Sequence, residues 1–331
     1  MSNFYLIVAS SLIFFSIYIK KEFIVKKTGL VDAPDKKLKS HKKRTPVIGG
    51  VIFGLVTILI LVTSTYTNYT KNILLIKILL LSLACSVIGI IDDIQKIKPT
   101  PKIFFTTTVL LIFLILFPEL RIKQITFSDN FFIKNLNIEN KLLLSIAITV
   151  LCYQLLIHAF NMADGHDGIA SLMAITWLVY IYFTKNNFQF LVPYITLLLL
   201  FIYFNLKSKI FLGDSGNYLL STLFASLLIL NNNNYKNFLA EEIFIMLMLP
   251  GIDMLRLFFT RIKNKKNPLI GDRKHLHHLL FKKFNKNITT LIYFILFITP
   301  FFFLYFKILP ENYIVVSFLV IYFLIIYKFI K

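Results

Sequence analysis

The chain alternates between long apolar runs and short polar segments. A helix needs about 20 largely apolar residues to cross a bilayer. Runs of this kind occupy 4–19, 47–66, 73–91, 103–118, 142–160, 168–184, 189–205, 210–230, 238–259, 288–306 and 312–330. They predict an all-α integral membrane protein, a bundle of about 10–11 transmembrane helices forming a single domain. The runs at 103–118, 142–160 and 168–184 are short or broken by polar residues. Between the fourth and fifth runs, the loop 119–141 is expected to hold a hairpin turning at Ser128-Asp129-Asn130. The run Asn231–Asn234 reads as a low-complexity tether.

Composition sharpens this picture. Of 331 residues, 57% are hydrophobic and 35 are Phe, and mean hydropathy is +0.74. One soluble core of this size does not hide so much apolar surface. The chain has 36 Lys and Arg against 16 Asp and Glu, a net charge of +20. In a soluble protein that balance points to nucleic acid. Here the basic residues sit in short loops between apolar runs, which fits the positive-inside rule and anionic headgroups, with no nucleic acid partner. No basic residue precedes the first run and Lys20-Lys21 follow it, which favours a first span starting outside over a cleaved signal peptide. Alternation then makes 20–46, 92–102, 158–168, 206–209, 260–287 and the tail cytoplasmic. Loops 20–46 and 260–287 alone carry more than half of the 36 Lys and Arg.

The same alternation places all six histidines and every aspartate except Asp129 on the cytoplasmic face. The positive-inside rule concerns Lys and Arg, so this second segregation points to chemistry at that face. Cys85 and Cys152 lie inside apolar runs and read as packing residues, not a disulfide or metal set.

Five polar stretches carry that chemistry. In 29–50, Asp32-Ala33-Pro34-Asp35 is a turn, and Gly49-Gly50 would let another backbone approach closely. Its Lys and Arg, around His41, either grip headgroups or face phosphate. Asp92-Asp93 end a span, where a carboxylate pair is costly without a cation or partner; a plain helix-end role is the alternative. Lys102 lies near enough to fold back on them. In 158–170, Asn161, Asp164 and Asp167 share a face if helical, whereas Gly165 and Gly168 argue for a broken helix lining a cavity. In Gly213-Asp214-Ser215-Gly216, Asp214 or Ser215 caps the next helix, or Asp214 offers a hard oxygen to magnesium. In 268–280, Asp272 is the expected N-cap of a short helix. His275 and His278 share a face there while His277 points elsewhere. These imidazoles beside Arg273 and Lys274 suit an anionic diphosphate better than zinc, which needs a closed ligand set. Asp253, inside the preceding run, expects Arg256 as its partner. No Walker A, dinucleotide-binding or Gly-x-Ser-x-Gly motif stands in a suitable context.

Taken in order, VIGIIDDIQKIKPTPK, HAFNMADGHDGIA, KIFLGDSGNYLL and PLIGDRKHLHHLL, with the basic first loop, resemble the polyprenyl-phosphate N-acetylhexosamine-1-phosphate transferase family. The DRKHLHHLL ending looks like the branch acting on UDP-GlcNAc-type donors, because the muramyl-pentapeptide branch usually has three consecutive histidines. The resemblance implies transfer of a HexNAc-1-phosphate, most simply GlcNAc-1-phosphate, from a UDP-sugar to undecaprenyl phosphate with release of UMP. It implies magnesium, with manganese as a substitute, and a bacterial plasma-membrane enzyme acting at the cytoplasmic face, early in cell-surface polysaccharide synthesis. A homodimer is also expected.

Residue by residue, the resemblance makes Asp214 the magnesium aspartate and Asn161 an asparagine that joins the metal. It gives Asp92 and Asp93 the catalytic pair, Lys102 a phosphate-binding lysine, and Phe211 a ring that stacks on uracil. Asp164 and Asp167 fall in the substrate-binding stretch, Asp167 at a nucleoside-pocket position. Arg273, His275, His277 and His278 match the loop closing over the donor, and His41 is a further substrate-binding candidate. The chain departs from the pattern at His158, where the family usually has Asn, and at His166, which replaces an apolar residue.

Two donors remain as alternatives within this chemistry, a UDP-6-deoxy-HexNAc and the MurNAc-pentapeptide nucleotide. A secondary transporter is the alternative from another class, since broken helices with carboxylates suit ion coupling near the bilayer midplane.

Overall fold

The computed structural model describes every residue except 1, 35–43, 67–68, 129–133, 166, 185–187, 236–237 and 331. The helices are α1 Ser2–Ile19, α2 Lys21–Thr28, α3 Gly49–Tyr66, α4 Tyr69–Gln95, α5 Pro99–Leu116, α6 Leu142–Ala163 and α7 Ile169–Thr184. They continue with α8 Leu191–Leu206, α9 Gly213–Tyr235, α10 Ala240–Lys263, α11 Leu276–Lys283, α12 Lys286–Tyr305 and α13 Glu311–Ile330. Every predicted apolar run is a helix, as lipid demands of any backbone that crosses it. The pattern did not predict α2, which turns 67° away from α1.

Among the described residues six helices are long and apolar enough to cross a membrane, seven if the bent α1–α2 pair counts as one span. Shorter apolar helices occupy Gly49–Thr65, Ile169–Thr184 and Leu191–Leu206. The difference from the predicted number has a physical reason in α9, which is apolar but studded with polar residues. It lies at the centre of the bundle, packed by α3, α4, α6 and α7. Asn217, Ser221, Thr222, Ser226 and Asn231 on it are all buried. Polar side chains of this kind are costly against lipid and are better placed between helices. Ser226 Oγ, for example, lies 2.8 Å from Tyr153 OH of α6. The chain is therefore a multi-pass all-α membrane protein.

Two short hairpins complete the fold. β1 Val31–Asp32 pairs antiparallel with β2 Thr45–Pro46. β3 Gln124–Thr126 pairs with β4 Asn135–Asn137, with Ile125 opposite Leu136. The second is the expected hairpin, although Asp129 and Asn130 at its turn lie outside the described residues, as do His41 and His166.

The asparagine run is not a tether. It forms the last turns of α9, and its amides clamp the chain before and within β3. Asn232 Nδ2 donates to Gln124 O at 2.6 Å and Asn233 Nδ2 to Arg121 O at 2.6 Å, while Asn233 Oδ1 accepts from Lys123 N at 3.1 Å. An amide carries both donor and acceptor, so it serves the N–H and C=O groups of this backbone alike.

Candidate active site

The end of the bundle opposite this clamp gathers the polar loops. The chain entering α3 lies against the start of α9: Gly49 N donates to Phe211 O and Gly50 N to Leu212 O, both at 3.0 Å, and Phe211 N donates to Pro46 O at 2.9 Å. A Cβ on Gly49 would stand 2.6 Å from Leu212 Cα, the close approach its glycine pair predicted.

The first turn of α9 exposes N–H groups that need acceptors. Asp93, from the end of α4, supplies them. Its Oδ1 accepts from Asp214 N at 2.9 Å, and its Oδ2 from Ser215 N at 3.1 Å and Ser215 Oγ at 2.7 Å. Gly213 turns the chain into this helix at φ 75°. Capping thus falls to Asp93 rather than to Asp214 or Ser215, and the Asp214 side chain is released to face Lys102.

Lys102 Nζ lies 2.6 Å from Asp214 Oδ2 and 2.5 Å from Asp92 Oδ2. The other oxygen of Asp92 accepts from Ile97 N at 2.8 Å and wraps the link between α4 and α5. Two carboxylates therefore meet one ammonium at the junction of α4, α5 and α9, with Asp93 at the neighbouring helix start. A surplus of negative charge around a single cation attracts further positive charge.

One turn along α9 from Asp214, Asn217 Nδ2 donates to Asp164 Oδ2 at 2.8 Å and Asn161 Oδ1 at 3.3 Å. It ties the end of α6 to the same cluster. Burial pushes the Asp164 carboxyl well above the usual carboxylate range, and the charges of Asp214, Asp167 and Asp93 push the same way, against the Asn217 hydrogen bond. The expected break follows: α6 stops at Ala163 and α7 starts at Ile169.

Asp167 leaves the helix face predicted for it. It forms an ion pair with Lys286 and accepts from Ser208 Oγ. Lys286 also donates to Ser208 Oγ at 2.6 Å and Leu206 O at 3.0 Å. Three loops are cross-linked here.

The histidine loop packs beside this break. A Cβ on Gly165 would stand 2.5 Å from His277 Nε2. His275 Nδ1 lies 2.8 Å from Asp253 Oδ2, and Asp253 Oδ1 accepts from Arg256 at 2.8 Å, the expected pair, and from Tyr322 OH at 2.7 Å. Leu276 N donates to Asp253 at 3.1 Å, so Asp253 of α10 serves the start of α11. The expected cap, Asp272, instead accepts from Arg261 Nε at 3.1 Å. The three imidazoles cluster: His277 lies 4.1 Å from His278 and stacks on His275 at 5.7 Å between ring centroids. Helical spacing misplaced His277 because His275 precedes α11 in extended backbone. Arg273 is exposed and Phe211 half-buried.

One chain of contacts thus runs from Asp92 through Lys102, Asp214, Asn217, Asp164 and Gly165 to His277 and His275. Asn217, Lys286 and Ser208 were not singled out by the sequence. Asn217 was findable, standing three residues beyond Asp214 on the same helical face. Lys286 and Ser208 carried no local signal.

Among the described residues no three His, Cys, Asp or Glu side chains form a group able to hold a metal ion. The donor chemistry nevertheless suits a hard cation. Asp214, Asn161 and Asn217 present oxygens, and among the described residues Asn217 Oδ1 is buried without a partner.

Fold and site together define a polytopic α-helical membrane protein with a carboxylate-rich polar centre at one end of its bundle. The glycosyl transferase family 4 model matches residues 75–232. The match takes in Asp92, Lys102, Asn161 and Asp214 and stops before the histidine loop. Among similar proteins, the undecaprenyl-phosphate alpha-N-acetylglucosaminyl 1-phosphate transferase of Thermotoga maritima is 25% identical over 268 residues, 81% of this chain and 78% of the relative. The phospho-N-acetylmuramoyl-pentapeptide-transferase of Staphylococcus saprophyticus is 27% identical over 65% of this chain and 74% of its own. A probable undecaprenyl-phosphate N-acetylglucosaminyl 1-phosphate transferase of Bacillus subtilis is 26% identical over 77% and 70%.

Proposed function

We propose that this chain is a polyprenyl-phosphate hexosamine-1-phosphate transferase, moving GlcNAc-1-phosphate from its UDP-sugar to undecaprenyl phosphate at the cytoplasmic face and releasing UMP. The observation that carries this reading is the meeting of Asp92, Lys102 and Asp214, from three helices, at one end of the bundle. Relatives named for that reaction support it. The gathering of polar groups at one end, rather than at mid-bundle, favours it over transport.

The physical problem is to bring two anions together. Lys102 places positive charge beside the phosphate, and the histidine loop adds donors where charge develops on the departing UMP. The lipid phosphate has its second pKa near 6, so it is mostly dianionic and needs orientation more than a strong base. Asp92, anchored through its second oxygen, supplies that orientation. Magnesium, held by Asp214 and Asn161 with manganese as a substitute, would neutralise the donor diphosphate. An apolar groove of about 350 Å³ between α6, α9 and α10, lined by Leu155, Ala159, Ile229 and Leu247 among others, suits the lipid tail.

Purified protein incubated with magnesium, undecaprenyl phosphate and a panel of UDP-sugars should release UMP with UDP-GlcNAc. Asp214→Asn should lose roughly a hundredfold or more of that rate. Normal turnover by a well-expressed Asp214→Asn protein would refute the assignment. Release only with a UDP-6-deoxy-HexNAc or the MurNAc-pentapeptide nucleotide would move the donor and keep the chemistry.

A further inference from the structure

One side chain beside this centre has no role in the chemistry above. On α6, Gln154, His158 and Asn161 are spaced by four and three residues and share a face. Gln154 Nε2 donates to Thr106 Oγ1 at 2.8 Å and Thr107 Oγ1 at 2.9 Å on α5, while Asn161 accepts from Asn217 on α9. The stripe therefore faces the seam between α5 and α9. Because α5 leaves the site end and α6 returns to it, one turn toward the site leads from Thr106 to Lys102 and from Gln154 to His158. His158 is thus level with Lys102, and Lys102 and Asp214 are the charged groups its ring senses.

Among the described residues, His158 Nε2 is buried and has no hydrogen-bond partner. Buried polar atoms are almost always paired, and leaving one unpaired opposes folding. No described residue completes this imidazole, and it is open to a partner atom from a bound molecule. Beside an ammonium, and with an N–H to offer, the fitting partner is an anionic oxygen.

We propose that His158 donates from Nε2 to a phosphoryl oxygen held at Lys102, and so contacts substrate directly. The oxygen belongs to the lipid monophosphate or to the diphosphate of the sugar nucleotide, the recognition chemistry being the same. This rests on the transferase reading, and the experiment separates the two.

The full chain in detergent is compared with His158→Leu and His158→Asn. Melting temperature is measured first, because a leucine removes an unpaired buried polar atom and should melt at or above the wild type. UMP release is then followed while each substrate is varied in turn. His158→Leu is expected to raise KM about tenfold or more for one substrate and leave the other KM alone. The affected substrate identifies which phosphate is bound. His158→Asn, which keeps an N–H donor, should recover much of the loss. Unchanged KM values overturn the proposal, as does a fall in melting temperature and kcat alone, which marks a structural residue. If the leucine variant does not fold, His158→Ala replaces it under the same criteria. If the wild type transfers nothing, the transferase reading fails and binding decides the role of His158. Inorganic pyrophosphate that raises the melting temperature of the wild type but not of the leucine variant upholds the contact; an equal rise in both overturns it.

Discussion

Asp92 and Asp93 are neighbours of the same residue type, yet their surroundings give them different work. Asp93 accepts three hydrogen bonds from the start of α9, whereas Asp92 meets Lys102. Asp93→Ala should therefore cost about 1–2 kcal/mol of stability, seen as a lower melting temperature in detergent. Asp92→Asn should melt close to the wild type and lose transfer activity roughly a hundredfold. Reversal of these two outcomes would mean that the roles are exchanged. Asp164 gives a pH signature. Burial raises its carboxyl above the usual range, so the folded state favours the neutral acid. Its contribution is present below the ordinary carboxylate pKa and is lost as pH rises through the raised value. Asp164→Asn holds the neutral form at every pH. Its melting temperature relative to the wild type should climb with pH, and a flat difference would count against the burial argument.

At the scale of elements, α10 shows how a bundle absorbs a helix breaker. Pro250 lies inside it and has no N–H to give to the carbonyl four residues earlier, that of Met246. Trp177 Nε1 of α7 donates to that carbonyl at 3.0 Å, while its ring stacks on Phe224 of α9 at 4.4 Å. Trp177→Phe should keep much of the packing and leave a buried carbonyl unpaired, a loss of about 1–3 kcal/mol readable as a drop in melting temperature. No change would mean that water or another donor reaches Met246. The Asp253 network does comparable work for α11: one carboxylate serves His275, Arg256, Tyr322 and the Leu276 N–H together. Sequence spacing exposed the Asp253–Arg256 pair because its partners stand three residues apart. It did not expose Tyr322, 69 residues away.

For the molecule as a whole, the two ends differ in chemistry. One carries the aspartates, Lys102 and the imidazoles; the other carries the β3–β4 hairpin and the asparagine clamp. The described parts of loop 20–46 and the loop 260–287 belong to the first end and should hold it in the cytoplasm. Single cysteines in a Cys85→Ala, Cys152→Ala background test this in intact cells. Ser128→Cys should react with an impermeant maleimide and Lys266→Cys should not; the opposite pattern would invert the protein and with it the proposed access of a nucleotide donor. By itself the sequence determined the helices, because a backbone in lipid has no way to satisfy its N–H and C=O groups except within the helix. It also determined that aspartates and imidazoles gather at one end, since run lengths and loop order settle which loops share a face. Only the tertiary structure decided which aspartate caps, which meets the lysine and which is locked by Lys286. Those choices join residues far apart in the chain, 121 positions between Asp93 and Asp214 and 112 between Lys102 and Asp214, and a carboxylate's role follows from whichever donor packing brings within about 3 Å.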